Sequence, residues 1–293
     1  MNGILIIDKP QDWTSHDVVA KLRGIYRERR IGHSGTLDPM ATGVLAVFLG
    51  RATRAVELCE NDEKTYVAGL RLGVVTNTQD ITGEVLDRCR ADVTEQQLQA
   101  VLAQFIGPQQ QLPPMYSAVK IQGRKLYELA RKGQTVERKP RNIVIHDLRL
   151  LGRQEGDFLL EIRCSKGTYV RTLCHDIGNA LGCGGCLSYL RRTQAGRFSI
   201  DDAVTLEDVL KAQETGAHQQ LLRPVDSLFS HLPRLDIQGE WERRMRNGNQ
   251  ILLKNQPDGE YRVYGETGEF LLLGRVQAQT LATVKSFFEV KSV

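Results

Sequence analysis

The 293-residue chain has no apolar run long enough to span a bilayer and no signal-peptide pattern at its start. A cytoplasmic protein is therefore expected. It has neither a P-loop nor a GxGxxG fingerprint, which leaves a nucleotide cofactor without sequence support. Its six cysteines, Cys59, Cys89, Cys164, Cys174, Cys183 and Cys186, should be reduced in that compartment. Cys183-Gly-Gly-Cys186 has metal-ligand or redox spacing, but no second CxxC and no nearby His pair completes a site. It reads as a glycine-rich loop carrying thiols, and no metal is expected. Repeats and low-complexity tracts are also missing. What remains is an ordinary globular composition, 41% hydrophobic and 25% charged, with a length that suggests roughly two domains. A net charge of +4 and a pI near 8.7 permit a nucleic-acid partner without requiring one.

The densest stretch is Gly32-His33-Ser34-Gly35-Thr36-Leu37-Asp38-Pro39-Met40-Ala41-Thr42-Gly43. Its glycines allow tight bending around a ligand. Pro39 pushes Asp38 toward extended backbone, so the carboxylate is aimed by a stiff main chain. That suits a catalytic acid on a loop. Taken alone before an apolar run, Asp-Pro reads first as an ordinary helix start, with Asp as N-cap. An apolar helix is expected to follow Pro39 through Val44, Leu45 and Val47, then a turn at Gly50 and more helix to Cys59.

Elsewhere, Gly3 to Asp8 reads as a strand. Thr14 with Asp17 opens a helix bearing Val18, Val19, Leu22 and Ile25, which ends in Arg27, Arg29 and Arg30. A strand runs from Tyr66 to Val75, followed by a polar turn-rich loop from Thr76 to Gly83. Tyr66 suits packing. Thr94 with Gln97 forms a capping box for a helix running to Phe105. Asn142–Leu151 and Asp157–Cys164 read as paired strands around Gly156. A helix carrying Leu173, Ile177 and Leu181 has Arg171 early in it. A cation at the positive end of a helix dipole is disfavoured unless an anion compensates, so Arg171 is either solvent-exposed or the partner of a buried carboxylate. Leu187 to Arg192 reads as a strand, and Thr205 with Asp208 caps a further short helix.

Met115 to Arg141 departs in charge. Lys120, Arg124, Lys125, Arg131, Lys132, Arg138, Lys139 and Arg141 face only Glu128 and Glu137, with Tyr116 and Tyr127 interleaved. A solvated helix with ion pairs would explain some of this. The poor charge balance and the bracketing Pro and Gly residues favour an RNA-binding insertion, about 112–141. Ser230-His-Leu-Pro233 marks a boundary. Beyond it come short strands at 250–253, 260–264, 269–275 and 283–290, with turns at Asn247-Gly248 and Thr267-Gly268. Two domains are expected, 1–232 and a small β-rich one over 233–293, and the first should fold alone.

Several stretches, in order, carry a family resemblance: Asp8-Lys9-Pro10, the Asp38 loop, Lys64-Thr-Tyr66, Met115-Tyr-Ser-Ala-Val-Lys120, Ser165-Lys-Gly-Thr-Tyr-Val-Arg-Thr172 and Tyr189-Leu-Arg-Arg192. Together they resemble the TruB family of tRNA pseudouridine synthases, in its bacterial stand-alone form. The resemblance implies an α+β fold, with a mixed, largely antiparallel sheet flanked by helices and a small PUA-like RNA-binding domain at the end. It implies isomerisation of uridine to pseudouridine in the tRNA T loop, at tRNA position 55, by base flipping and without cofactor. In that role Asp38 is the nucleophile, acting on ribose or base. Arg171 lowers its pKa, and Tyr66 stacks on the uracil and moves protons. His33 supports the opened loop, Leu190 closes the apolar side of the base pocket, and Lys64, Ser165 and Lys166 contact substrate. Lys120, Arg124, Lys125 and Arg131 grip the T arm. A monomer that needs no protein partner is expected. The other readings are the same chemistry on another RNA such as rRNA, and a tRNA-folding chaperone.

Overall fold

The structure, a computed structural model, describes residues 1–59, 62–121 and 123–289. Val290, the last residue of the expected final strand, lies outside them, as does the rest of the expected second domain to 293. The first element is strand β1 (Gly3–Lys9). Helix α1 (Ser15–Tyr26) follows, its N-terminus closed by the expected Thr14–Asp17 capping box. Strands β2 (Ile31–Ser34) and β3 (Thr42–Leu49) come next, then a 3₁₀ segment, Gly50–Cys59.

The expected helix through Val44, Leu45 and Val47 is therefore a strand. Val44, Ala46 and Phe48 enter one core, while Leu45, Val47 and Leu49 enter another. A strand apolar on both faces shows no two-residue alternation, so periodicity cannot separate it from a buried helix. Gly32 to Ser34, expected as loop, pairs with β3.

The chain continues through β4 (Lys64–Leu72), β5 (Val74–Thr76), β6 (Val85–Arg88), α2 (Glu95–Leu102) and β7 (Gly107–Gln111). Among the described residues, the basic segment holds β8 (Lys120–Ile121), β9 (Arg124–Lys125) and α3 (Leu126–Ala130). After it come β10 (Arg141–Gln154), β11 (Asp157–Cys164), α4 (Val170–Ala180), β12 (Gly185–Ala195), β13 (Phe198–Ser199) and α5 (Leu206–Glu214). A nine-stranded sheet runs β1-β3-β12-β4-β11-β10-β7, with β2 paired to β3 and β13 to β12. Its ladders are antiparallel, except that β12 lies parallel to β3. The fold is α+β, as expected.

The thiol loop serves this packing. Cys183 and Gly184 both donate backbone N–H groups to Gly178 O at the end of α4. A Cβ on Gly178 would lie 2.3 Å from the Gly184 backbone. Glycines therefore let β12 start directly against the helix. Burial pushes the Cys186 thiol up to about 11, which keeps it protonated and unreactive.

After Pro233 the chain enters a second sheet: β14 (Arg234–Asp236), helix α6 (Gly239–Arg246), β15 (Ile251–Leu252), β16 (Gly259–Tyr264), β17 (Phe270–Gln277) and β18 (Thr280–Ser286). The sequence reading missed α6. Its eight residues include three arginines, two glutamates and one buried apolar anchor, Met245, so no apolar stripe announces it. The two sheets share apolar packing. Phe229 lies 6.0 Å from Phe270 and 5.9 Å from Phe287, centroid to centroid. Tyr264 donates a 2.6 Å hydrogen bond to Asp226. Truncation after Leu232 should therefore lower the thermal midpoint of the remaining 1–232 fragment, because uncovering a buried Phe removes roughly 1.5–3 kcal/mol of burial. Calorimetry on the fragment and the intact chain tests this; equal midpoints would show that the shared cluster stabilises nothing.

Candidate active site

The segment between β2 and β3 carries Asp38, and several buried side chains fix its backbone. Ser15 Oγ accepts a 2.9 Å bond from Leu37 N, and the hydroxyl donates back to Leu37 O. Lys9, fully buried, donates to the carbonyls of Pro10, Trp13 and Pro39. Burial lowers its pKa to about 8, with Asp12 and Asp38 pulling it back up. Arg192, 1% exposed, donates to Val44 O at 2.7 Å and Gly35 O at 2.9 Å. Ala41 N bonds to Asp38 O, closing a turn where the capping alternative required a helix. The Asp38 side chain is thus free of capping duty.

It meets Arg171 instead. Arg171 Nε lies 2.9 Å from Asp38 Oδ2. The same guanidinium reaches Asp80 Oδ2 at 3.4 Å, Thr78 O at 3.0 Å and Tyr116 O at 2.9 Å. One cation in the first turn of α4 therefore ties together three loops: the Asp38 segment, the β5–β6 turn and the root of the basic segment. Two carboxylates supply the compensation that a cation at that helix end requires.

Asp80 was missed from sequence, where its surroundings read only as a polar loop. It is buried, and its Oδ1 accepts from Thr78 Oγ1, Thr82 N and Thr82 Oγ1. Threonines two residues before and after an aspartate can satisfy it locally, and that pattern was the available signal. Burial pushes the Asp38 carboxyl above its ordinary value. Arg171 pulls it down, and Asp80 pushes it up again. The expected net lowering by Arg171 is outweighed by desolvation. One face of Asp38 nevertheless stays open, at 39% side-chain exposure.

That face borders a cavity of about 480 Å³. His33, Lys64, Tyr66, Ser165, Lys166, Leu190, Arg171 and Asp38, all singled out from sequence, line it. Tyr66 and Leu190 lie on the paired strands β4 and β12 and are buried. Arg192 sits at the Tyr66 hydroxyl, and burial raises the phenol pKa, so it stays protonated. His33 is pushed down to about 4, by burial first and by Arg192 second, so its ring is neutral. Lys64 donates to Asp62 O at 2.7 Å. Ser165 accepts from Val144 N.

Tyr169, also in the wall, is clamped by Gln111 through two backbone bonds of 2.8 and 3.1 Å. Arg192, Ser117 and Tyr169 line the cavity too; they lay inside the motifs but were given no role. Lys120, Arg124, Lys125 and Arg131 do not line it. They lie on the segment that leaves from Tyr116, where Lys125 and Arg131 each sit 5.4 Å from the Tyr127 ring centroid.

Residues 23–170 match the N-terminal domain model of the TruB family pseudouridylate synthases, and 171–230 match the tRNA pseudouridylate synthase B C-terminal domain. The chain belongs to the TruB family. A tRNA pseudouridine synthase B from Ralstonia pickettii is 44% identical over 271 residues, covering 90% of this chain and 85% of that protein. Its counterpart from Alkaliphilus oremlandii is 41% identical over 251 residues, covering 86% and 83%. Among solved structures, a Cbf5-Nop10-Gar1 complex includes a chain matching with TM-score 0.72 and 27% identity, over 98% of this chain and 85% of that one. The TruB N-terminal match spans every cavity residue from His33 to Val170, and Arg171 opens the C-terminal match.

Proposed function

We propose that this TruB-family enzyme isomerises a uridine in the T loop of tRNA to pseudouridine, acting alone and without cofactor. The observation that carries the reading is the open carboxylate of Asp38, held by Arg171 at the wall of a cavity faced by a buried aromatic ring and a leucine. A flipped base needs a flat stacking surface and an apolar closure, and Tyr66 and Leu190 supply them. The relatives named tRNA pseudouridine synthase B support tRNA as the substrate.

In the reaction the bond between ribose C1′ and uracil N1 breaks, the base turns, and C1′ bonds to C5. The C5 proton leaves and N1 gains one, so nothing is oxidised or consumed. Asp38 serves as nucleophile. Arg171 aims it and favours its charged form, opposing part of its desolvation. Tyr66, protonated beside Arg192, stacks on the base and can relay a proton. The neutral ring of His33 packs against the opened loop. Lys64, Ser165 and Lys166 contact the substrate around the cavity mouth.

The basic segment grips the T arm. Replacing Lys120, Arg124, Lys125 and Arg131 with Ala should weaken tRNA binding. It should also flatten the salt dependence by roughly 0.7–0.9 in slope per lost phosphate contact. An unchanged slope would assign these side chains to solvent. The function itself is tested by incubating an unmodified tRNA transcript with the protein in chelator, digesting it and separating the nucleosides. Pseudouridine is expected. A refolded tRNA without pseudouridine would establish a chaperone instead.

A further inference from the structure

The polar side chains of the cavity are mostly spent on the protein. Arg192 is committed to Gly35 O and Val44 O. Lys64 is committed to Asp62 O, Ser165 to Val144 N and Thr168 to Ser165 O. Arg171 is shared among Asp38, Asp80, Thr78 O and Tyr116 O. Among the described residues, two wall residues each carry a buried polar atom with no hydrogen-bond partner: His33 Nδ1 and Ser117 Oγ. The residue carrying the second is only 5% exposed. A buried hydroxyl left unpaired destabilises the free protein, so its retention calls for a partner that arrives later.

Ser117 stands where that partner would matter most. It follows Tyr116, whose carbonyl takes the Arg171 bond, and its own carbonyl accepts from Tyr127 N inside the basic segment. It is thus the point at which the RNA-gripping segment enters the cavity wall.

We propose that the Ser117 hydroxyl hydrogen-bonds the polar edge of the flipped base, coupling occupancy of the pocket to the placement of the basic segment. The proposal rests on the uridine-isomerising reading of the site. A hydroxyl both donates and accepts, so it can pair with either a carbonyl or the N3–H of uracil. Tyr66 and Leu190 hold the faces of the base, and Ser117 holds its rim.

The free protein carries an unpaired hydroxyl that the complex uses, so removing it has opposite effects on stability and turnover. Ser117→Ala should leave the thermal midpoint of the free protein unchanged or raise it by about 2–4 °C. Its single-turnover rate on tRNA should fall about tenfold, the equivalent of one hydrogen bond of roughly 1.4 kcal/mol. Its affinity for a T-arm stem-loop should fall several-fold when the target is uridine, and stay unchanged when the target is abasic. An unaltered rate would overturn the assignment. So would equal losses on the uridine and abasic loops, or a rate loss that tracks a lower midpoint, since either points to a structural role. A wild-type protein that forms no pseudouridine would defeat the reading of the whole site and this assignment with it. A normal wild type beside a silent Ser117→Ala defeats the assignment alone.

Discussion

Asp38→Asn lowers the single-turnover rate by more than about 10⁴-fold, the scale on which loss of a nucleophile registers. Asparagine is isosteric and keeps an oxygen toward Arg171 Nε, so the turn closed by Ala41 N and the bonds from Ser15 to Leu37 should survive. Affinity for tRNA should hold, because phosphate contacts dominate it and Asp38 makes none. Rate and affinity measured on the same preparation separate these effects. Near-normal turnover in Asp38→Asn would remove Asp38 from the chemistry.

Arg171→Ala should have the largest effect on both stability and pH dependence. Removing the guanidinium leaves Asp38 and Asp80 facing each other without a cation, and strands the Thr78 and Tyr116 carbonyls. Deleting one partner of a buried ion pair typically costs about 3–5 kcal/mol. The sign of the pH effect follows from the ionisation Asp38 needs. Burial already raises its pKa, Arg171 opposes the rise and Asp80 adds to it. Without Arg171 the pKa climbs further, so activity is lost at a higher pH as the solution is acidified. The acidic limb of the rate profile should move up by about 1–3 pH units. Arg171→Lys should recover part of the limb, because the charge returns. It should recover less of the stability, because an ammonium cannot reproduce the four-way fork. An unmoved limb in Arg171→Ala would show that the pair seen at 2.9 Å has no bearing on the reactive ionisation.

What the sequence made legible was mostly local. Capping boxes at Thr14, Thr94 and Thr205 start the helices where they were read, because each depends only on residues three apart. The alternating strands β10 and β11 were equally plain, having one buried and one wetter face. β3 was misread because each of its faces is buried in a separate apolar cluster, which erases the alternation that separates strand from helix. Arg171 could be suspected from its awkward position at a helix start, but its second carboxylate could not. Asp80 lies about ninety residues away, and it is brought in by the pairing of its loop with Leu187 on β12 and by the Thr172–Gln79 side-chain bond. Ser117 and Arg192 were visible inside motifs without a role. Roles depend on which polar atoms the folded protein has already used, and that is a property of three-dimensional contacts. α6 stayed hidden for want of an apolar stripe.

The most direct test of the central claim is site-resolved mapping of pseudouridine in unmodified total RNA treated with the intact protein, run in parallel with Asp38→Asn. The account predicts one new pseudouridine per tRNA, in the T loop, made by the intact chain and missing with the variant. Pseudouridine that arises mainly in rRNA or in another tRNA arm, or equal yields from the two proteins, would contradict it.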